Sequence, residues 1–360
     1  MRIPSILSAT AAVVGLVATF GEVAHGFAPP SPSSTARARA GTATTSSVSV
    51  VSVSVTPHLL LLRRRLPSSS PSSSSSTRLL MGWGPEPIWS TATVTRNFKA
   101  CPSGTCVSLS VDVEDGSDFV HPGQYVQVRP AGADDGTKPI FLAIASAPTG
   151  AAPAPVPPGR RKVVVEAADE AAGSPPPAPV PATWEFLVKE TEFNSWIVSA
   201  PPGTAISVSQ VMGSGFPISD EVEGFKYDFP TQNLLLFATG SGIAPIRSAI
   251  ESGRLGISGG RTCTLYYGVR TPDDLCYVSK FPEWEGGGVS VVPVISRPEE
   301  SATTTWMGRT GYVQNALEED GVPIPRNSAA LLCGVNGMCD GVKAMLLESG
   351  VFEGRVLKNF

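Results

Sequence analysis

The spacing of apolar and polar positions changes partway along the chain. Between residues 89 and 211, short segments alternate the two kinds of side chain, as where serines separate Val107, Leu109 and Val111. A period of two between Gly/Pro turns is typical of half-buried strands and predicts a small antiparallel barrel. The strand-like segments are 107–113, 125–129, 140–145, 184–189 and 205–211.

After residue 228, apolar runs alternate with helical patterns. Strands are predicted over 234–238, 264–268, 289–295 and 330–333, and helices over 245–252, 312–319 and 338–349. This alternation predicts a doubly wound parallel sheet with helices on both faces. The predicted fold class is therefore β-barrel plus α/β, with the barrel at 88–228 and the parallel-sheet domain at 229–360. A Pro/Ala-rich insertion at 149–182, around one possible strand at 162–166, interrupts the barrel.

The first eighty residues are typical of targeting sequence. An apolar run over 6–20 is short for a membrane span but suits a signal-peptide core, and 24–26 is a small-x-small cleavage site. Residues 27–80 contain six arginines, long serine runs and no acidic residue. We expect a signal peptide (1–26), then a plastid transit peptide (27–80) leading to the chloroplast stroma, with the mature chain starting near Met81. The alternative is a disordered Ser-rich tail on a secreted protein.

Charge and histidine content exclude several classes of function. Residues 81–360 hold 20 of the 27 basic and 30 of the 31 acidic residues, a net charge of −10. Such an acidic body is a poor candidate for binding nucleic acid or an anionic membrane, and no membrane span is predicted. Its single histidine, His121, lies in a Pro-Gly turn, which disfavours a Ser/His/Asp hydrolase or a histidine-rich metal site.

The six cysteines show no run with iron–sulfur or zinc spacing, and no metal is predicted. Cys101 and Cys106 are interpreted as ordinary thiols, with a regulatory disulfide as the lesser alternative.

The strongest motif is Thr-Gly-Ser-Gly-Ile-Ala-Pro at 239–245, directly after a predicted strand and at the start of a helix. Glycines let the backbone approach a pyrophosphate, and the helix N-terminus supplies free N–H groups. Proline suits the first helical turn, where its missing N–H costs nothing. The candidate cofactor-binding residues here are Thr239, Gly240, Ser241, Gly242, Ile243, Ala244 and Pro245.

Two further motifs end predicted strands. Cys-Gly-Val-Asn-Gly-Met at 333–338 follows the last strand, at the sheet edge where ligands bind in such folds. Cys333 there would lie beside a reacting carbon, or else be a small buried hydrophobe. Ser296 and Arg297 end the third strand, and the arginine would hold a phosphate bidentately or simply be solvated.

Taken together, these segments resemble the ferredoxin–NADP reductase-like family of flavoprotein oxidoreductases across 88–360. The likeness rests on 121–126, 144–146, 240–245, 308–314 and 333–338. Within the family it is closest to a plant subgroup called fruit proteins, through 141–146, 209–213 and 357–360. The resemblance implies an FAD-binding barrel, an NAD(P)-binding domain, and hydride transfer between NADP or NAD and FAD.

The resemblance also implies roles for individual residues. Expected flavin contacts are Tyr125, Ala143, Ile144, Ala145 and Ser146, with Asn194 and Ser195 at a second pyrophosphate-binding turn. Expected nucleotide contacts, besides the glycine loop, are Ser296, Arg297, Tyr312, Gln314, Gly334 and Met338. The expected catalytic residues are Cys333, beside the nicotinamide ring, and Phe360, as an aromatic cover on the flavin.

One departure leaves two functions open. The family's Arg-x-Tyr-Ser, which contacts the flavin, is replaced here by Ile140, Phe141, Leu142 and Ala143. The chain is therefore either a flavin-dependent NAD(P)H oxidoreductase with an unidentified electron acceptor, or a non-catalytic nucleotide-binding or regulatory protein that has lost tight FAD. The acidic body does not indicate a ferredoxin docking site, and the choice between NADPH and NADH stays open.

Overall fold

The structure is a computed structural model, and it describes residues 86–134, 136–150, 178–218, 222, 229–303 and 305–359. The expected leader, the possible strand at 162–166 and Phe360 lie outside the described residues.

The N-terminal half forms an antiparallel sheet that nearly closes into a barrel. Its strands are β1 (Trp89–Lys99), β2 (Cys106–Val113), β3 (Tyr125–Pro130), β4 (Ile140–Ala143), β5 (Ala182–Lys189) and β6 (Ala205–Ser209). They run in the order β4-β3-β6-β1-β2-β5, and a bridge between Ile144 and Phe186 links the two edges. A short helix, α1 (Ser195–Val198), follows β5. The predicted barrel is confirmed.

The burial of β2 departs from its alternating pattern. Val94, Leu109, Val111 and Phe186 fill the barrel core, as expected for one face. Ser108 and Ser110, predicted on the exposed face, are also buried. The reason is position: β2 lies between β1 and β5, and short serine side chains do not reach past their larger neighbours.

The C-terminal half is a six-stranded parallel sheet flanked by helices. Its strands are β7 (Asn233–Thr239), β8 (Thr262–Val269), β9 (Val289–Ile295), β10 (Arg309–Thr310), β11 (Ser328–Cys333) and β12 (Val356–Lys358). The helices are α2 (Ile243–Glu251), α3 (Phe281–Gly286), α4 (Val313–Asp320) and α5 (Asn336–Glu348). This confirms the predicted doubly wound domain. None of the described helices is long and apolar enough to cross a membrane.

Strand order determines where a ligand can bind. The sheet runs β10-β9-β8-β7-β11-β12, so β7 pairs with β8 on one side and with β11 on the other. The order reverses at β7, and the helices that follow β7 and β11 therefore lie on opposite faces of the sheet. In open parallel sheets the crevice at such a reversal is the usual binding place. Here it is formed by the glycine loop after β7 and the Cys333 loop after β11.

A buried arginine joins the two halves. Arg247, on α2, is only 6% exposed and forms ion pairs with Glu185 on β5 and, at 2.9 Å, with Glu251 one turn later. Its guanidinium also lies 4.7 Å from the centre of the Tyr277 ring. Burial opposes its charge, but these partners raise the pKa of Arg247 above its usual value. The cation therefore fixes the glycine-loop helix against the barrel.

Removing this cation should destabilise the protein. An Arg247→Ala variant leaves Glu185 without a counter-charge and Glu251 with only the Lys280 ammonium, 3.7 Å away. Breaking a buried pair costs about 3–5 kcal/mol. We expect the lower end, about 3 kcal/mol, because Glu185 is partly exposed and rehydrates. Chemical denaturation measures the change. Arg297→Ala, which breaks an exposed ion pair, is the control and should cost less than about 1 kcal/mol. Equal stabilities of the two variants would contradict this role.

Candidate functional site

The loops after β7 and β11 meet backbone to backbone. A Cβ atom placed on Gly242 would lie 2.4 Å from the carbonyl oxygen of Cys333, so only glycine fits there. Gly334 has a φ of +151°, and a Cβ atom placed on it would lie 2.0 Å from Oγ1 of Thr239. The Val335 N–H donates to Oγ1 of Thr239 at 3.0 Å. The Gly-x-Gly spacing thus allows two loops to pack together, besides leaving room for a ligand.

Two helices begin at this junction, and no side chain caps the N-terminus of either. Neither α2 nor α5 has an acidic residue in its first turn. The first N–H group of α2, that of Ile243, already donates to the Gly240 carbonyl, so α2 offers an anion its positive dipole end, whereas α5 offers both its dipole end and its uncapped first turn. Gly240 adopts a left-handed φ of +54°, and a Cβ built on it meets nothing within 4 Å. The backbone at Gly240 is therefore open to a ligand, which fits a phosphate-binding loop.

The first of two cavities at the junction has a volume of about 660 Å³. Its walls come from the carboxyl ends of β7, β8 and β9, the start of α4 and the turn between β1 and β2. The predicted nucleotide residues that line it are Thr239, Gly240, Ser241, Ser296, Tyr312, Gln314 and Met338. This lining matches the cavity expected for the nicotinamide nucleotide.

The second cavity, of about 590 Å³, lies between the glycine loop and the barrel. β4 and the end of β5 form its barrel side. The predicted residues that line it are Ala143, Asn194, Thr239, Gly240, Ser241, Gly242, Ala244, Pro245, Cys333 and Gly334. It is the cavity expected for the flavin, and Cys333 lies in its wall.

The structure places other predicted site residues away from both cavities. Ile243 is in the core, and the backbone N–H groups of Ile144 and Ala145 donate to Gln124 and Glu185 carbonyls. The Ser146 hydroxyl accepts the Glu185 N–H at 3.2 Å. The predicted residues that line neither cavity are Tyr125, Ile144, Ala145, Ser146, Ser195, Ile243 and Arg297. Their cofactor contacts stay predictions, as does the role of Phe360.

Asn194 lines the second cavity but its side chain is already engaged. Its amide oxygen accepts the Thr191 N–H at 2.8 Å, and its amide nitrogen donates to the Lys189 carbonyl at 2.7 Å. It therefore holds the turn after β5 in place. The Lys189 side chain is exposed, lines both cavities and has no carboxylate partner among the described residues. Lys189 is thus a cation on the flavin side that sequence reasoning missed.

A second missed cation lies on the nucleotide side. Arg297 is 3.0 Å from Glu300 and faces solvent. Arg270, directly after β8, lines the first cavity instead and has no carboxylate partner within the described part of the chain. The position of Arg270 at the end of a parallel strand is the signal that would have found it.

Cys333 is a neutral thiol. Burial raises the pKa of Cys333 to about 12, with a small further increase from Cys339. At neutral pH it is therefore an uncharged, polarisable group and not a thiolate nucleophile. This fits a residue that packs beside a bound ring.

Replacement by alanine should have different effects at Gly240, in the glycine loop, and at Gly253, outside it. Gly240→Ala should cost about 1–2 kcal/mol of stability through its positive φ, and should also weaken binding of NAD(P)H, because the new methyl enters the open cavity. Gly253→Ala, with a φ of +70° and equal space at the far end of α2, is the matched control and should lose stability only. Gly242→Ala should be the least stable of the three. Calorimetric titration measures nucleotide affinity, and thermal unfolding measures stability. Equal nucleotide affinity of the Gly240 and Gly253 variants would contradict the assignment of the glycine loop as the nucleotide site.

Comparison with known proteins identifies an NAD-binding domain in the C-terminal half of the chain. Residues 236–344 match the family model described as the oxidoreductase NAD-binding domain. The chain is 29% identical over 278 residues to fruit protein pKIWI502 of Actinidia deliciosa, covering 75% of this chain and 76% of that protein. It is 25% identical over 169 residues to one subunit of the Na⁺-translocating NADH-quinone reductase of Psychrobacter arcticus. That match covers 46% of this chain and only 39% of the bacterial polypeptide.

A solved structure shares the two-domain fold. A ferredoxin NADP⁺ reductase from Neisseria gonorrhoeae, with bound FAD and NADP, superposes with a TM-score of 0.54 at 15% identity. The superposition covers 76% of this chain and all of that one. A barrel followed by a parallel-sheet domain, with the oxidoreductase NAD-binding match in the second domain, is thus the fold of the ferredoxin reductases to which the chain is similar.

Proposed function

We propose that this protein is an NAD(P)H-dependent flavoprotein that transfers hydride between the nicotinamide nucleotide and FAD and passes the electrons to an acceptor still to be identified. One observation carries the proposal: the two cavities share part of their walls. The shared residues are Lys189, Thr239, Gly240, Ser241 and Val335. A nucleotide in one cavity and a flavin in the other would meet across this wall, as hydride transfer requires.

The chain's own residues bind and orient the two groups. The N-termini of α2 and α5 would hold pyrophosphate oxygens, and the left-handed turn at Gly240 lets the phosphates approach the backbone. Cys333, which lines the second cavity and not the first, would pack as a neutral thiol beside the flavin ring, at the place that a nicotinamide must reach. When bound, the flavin supplies the hydride-accepting atom, and the protein supplies position and electrostatics.

Lys189 would take over the missing arginine contact on the flavin side. The structure offers no cation on β4, where Ile140, Phe141, Leu142 and Ala143 line the second cavity. Lys189, at the end of β5, lines this cavity on the same barrel side as β4, and its exposed ammonium would bind a phosphate group there. A charge-assisted hydrogen bond is worth about 1.5–3 kcal/mol, comparable to one lost arginine contact.

The alternative function, a nucleotide-binding protein without tight FAD, rests on that same β4. Its apolar side chains offer neither a hydroxyl nor a charge to a flavin ring or phosphate, so any flavin is held by fewer polar contacts than in the family pattern.

Anaerobic titration separates the two functions. The purified protein, supplemented with FAD, is titrated with NADPH and separately with NADH while the flavin absorption is followed. Bleaching of a protein-bound flavin spectrum is expected and would support hydride transfer. The non-catalytic alternative predicts a different result: calorimetry detects nucleotide binding, but a desalting column separates the added FAD from the protein.

Nucleotide preference should depend on Arg270. We expect Arg270→Ala to weaken NADPH binding by about 10–100-fold, the equivalent of about 1.5–3 kcal/mol, with a smaller effect on NADH, because a guanidinium in the cavity would pair with the 2′-phosphate. Arg297→Ala is the matched control, since Arg297 is paired with Glu300 outside the cavity. A larger loss of NADPH affinity in the Arg297 variant, or equal losses for both nucleotides in the Arg270 variant, would refute this assignment.

A further inference from the structure

Three buried cysteines converge where the barrel meets the parallel-sheet domain. Cys101 and Cys106 flank the turn between β1 and β2, and Cys276 comes from the loop after β8. Their sulfur atoms all lie within 4.8 Å of one another. None of the three forms a disulfide. Sequence spacing could not show this cluster, because 170 residues separate Cys106 from Cys276.

We propose that Cys101, Cys106 and Cys276 form a binding site for a divalent thiophilic cation such as Zn²⁺, which clamps the two domains together. The geometry is close to what zinc needs. With zinc–sulfur bonds of about 2.3 Å, tetrahedrally arranged sulfurs lie about 3.8 Å apart. Shifts of about 1 Å or less bring the three sulfurs into that arrangement. The fourth ligand would be a water molecule, as in sites with three protein ligands.

The surroundings of the cluster are those of a supported site. The Ser103 hydroxyl lies 3.3 Å from the Cys101 sulfur, and the Ser103 N–H donates to the Asp273 carbonyl at 2.9 Å. Thr105 donates to the Asp274 carboxylate at 3.3 Å. These contacts hold the β1–β2 turn against the segment that carries Cys276. Partners beyond the ligands orient a metal site and are part of its affinity.

Charge favours a divalent over a monovalent ion. Three thiolates around a divalent cation leave one negative charge, and around a monovalent cation they leave two. A buried excess charge is costly unless it is compensated. A divalent ion therefore leaves the smaller charge to be compensated.

The site also has an entry path. Cys106 and Thr105 line the first cavity, which opens to solvent. A metal ion can therefore reach the cluster through the nucleotide cavity without unfolding of the domain interface. Binding of the metal alone can be measured, so its outcome does not depend on the proposed oxidoreductase activity.

Cobalt is the probe, because its thiolate complexes absorb strongly and zinc displaces it. The full chain, reduced and freed of metal under anaerobic conditions, is titrated with Co²⁺. We expect one Co²⁺ per chain with a thiolate charge-transfer band, loss of that band on adding Zn²⁺, and a melting temperature that rises with Zn²⁺ concentration. Cys276→Ala and Cys276→Ser should each weaken binding by more than about 100-fold, beyond the 10–100-fold effect of an outer-shell partner.

Two other buried cysteines provide matched controls. Cys263→Ala and Cys339→Ala remove thiols outside the cluster and should leave the Co²⁺ spectrum and affinity unchanged. Circular dichroism of every variant verifies folding, and the two Cys276 substitutions guard against a variant that fails to fold. Absence of a thiolate band in the reduced wild type, or equal Co²⁺ binding by a folded Cys276 variant, would overturn the proposal. A disulfide within the cluster that forms in air, together with no metal binding after reduction, would overturn it in favour of a redox pair.

Discussion

The approach of Gly242 to the Cys333 carbonyl is the constraint on which the site depends. Because no side chain stands between them, the loops after β7 and β11 pack directly against each other. The N-termini of α2 and α5 consequently open onto one crevice, and the two cavities share a wall. A larger residue at 242 would separate the loops and thereby alter both cavities. The glycine acts here through packing within the protein, while Gly240, facing open space, is the one that a ligand can approach.

Polar contacts at three places hold the barrel against the parallel-sheet domain. At one of them Arg254, after α2, donates to the carbonyls of Val120 and Gly150. Arg247 connects α2 to β5 through Glu185, and the turn between β1 and β2 reaches the loop after β8 through Ser103 and Thr105. Thr105 itself lines the first cavity, and α2, which Arg247 holds, contributes Ala244 and Pro245 to the second. The distance between a flavin and a nucleotide would therefore be determined by these side chains, and a cation among the cysteines at the β1–β2 turn would stiffen it further.

Local patterns predicted the elements well but not the contacts between distant segments. The periods of two and of 3.6 predicted the barrel and the doubly wound domain, and the Gly-x-Gly-x-x-Pro pattern predicted the loop at the crevice. β10 and β12, of two and three residues, are too short to show a period. Lys189 and Cys276 carried no local signal, because their significance comes from neighbours more than 40 residues away in the sequence. The burial of Ser108 likewise depends on strand order, which alternation alone does not encode.

The absence of an arginine on β4 bears on flavin affinity more than on flavin position. Phe141 is 52% exposed and borders the second cavity, with its ring 5.9 Å from that of Tyr125. It stands at the unspecified position of the family's Arg-x-Tyr-Ser, whereas the polar positions of that pattern are the apolar Ile140, Leu142 and Ala143. Under the proposed function, Lys189 replaces one charged contact and backbone N–H groups serve the pyrophosphate, but no described β4 side chain can hydrogen-bond to the ring. A flavin held in this way would rely on stacking and backbone contacts, so the cavity shape set by Gly242 and Arg247 contributes more to its retention than any single polar side chain on β4.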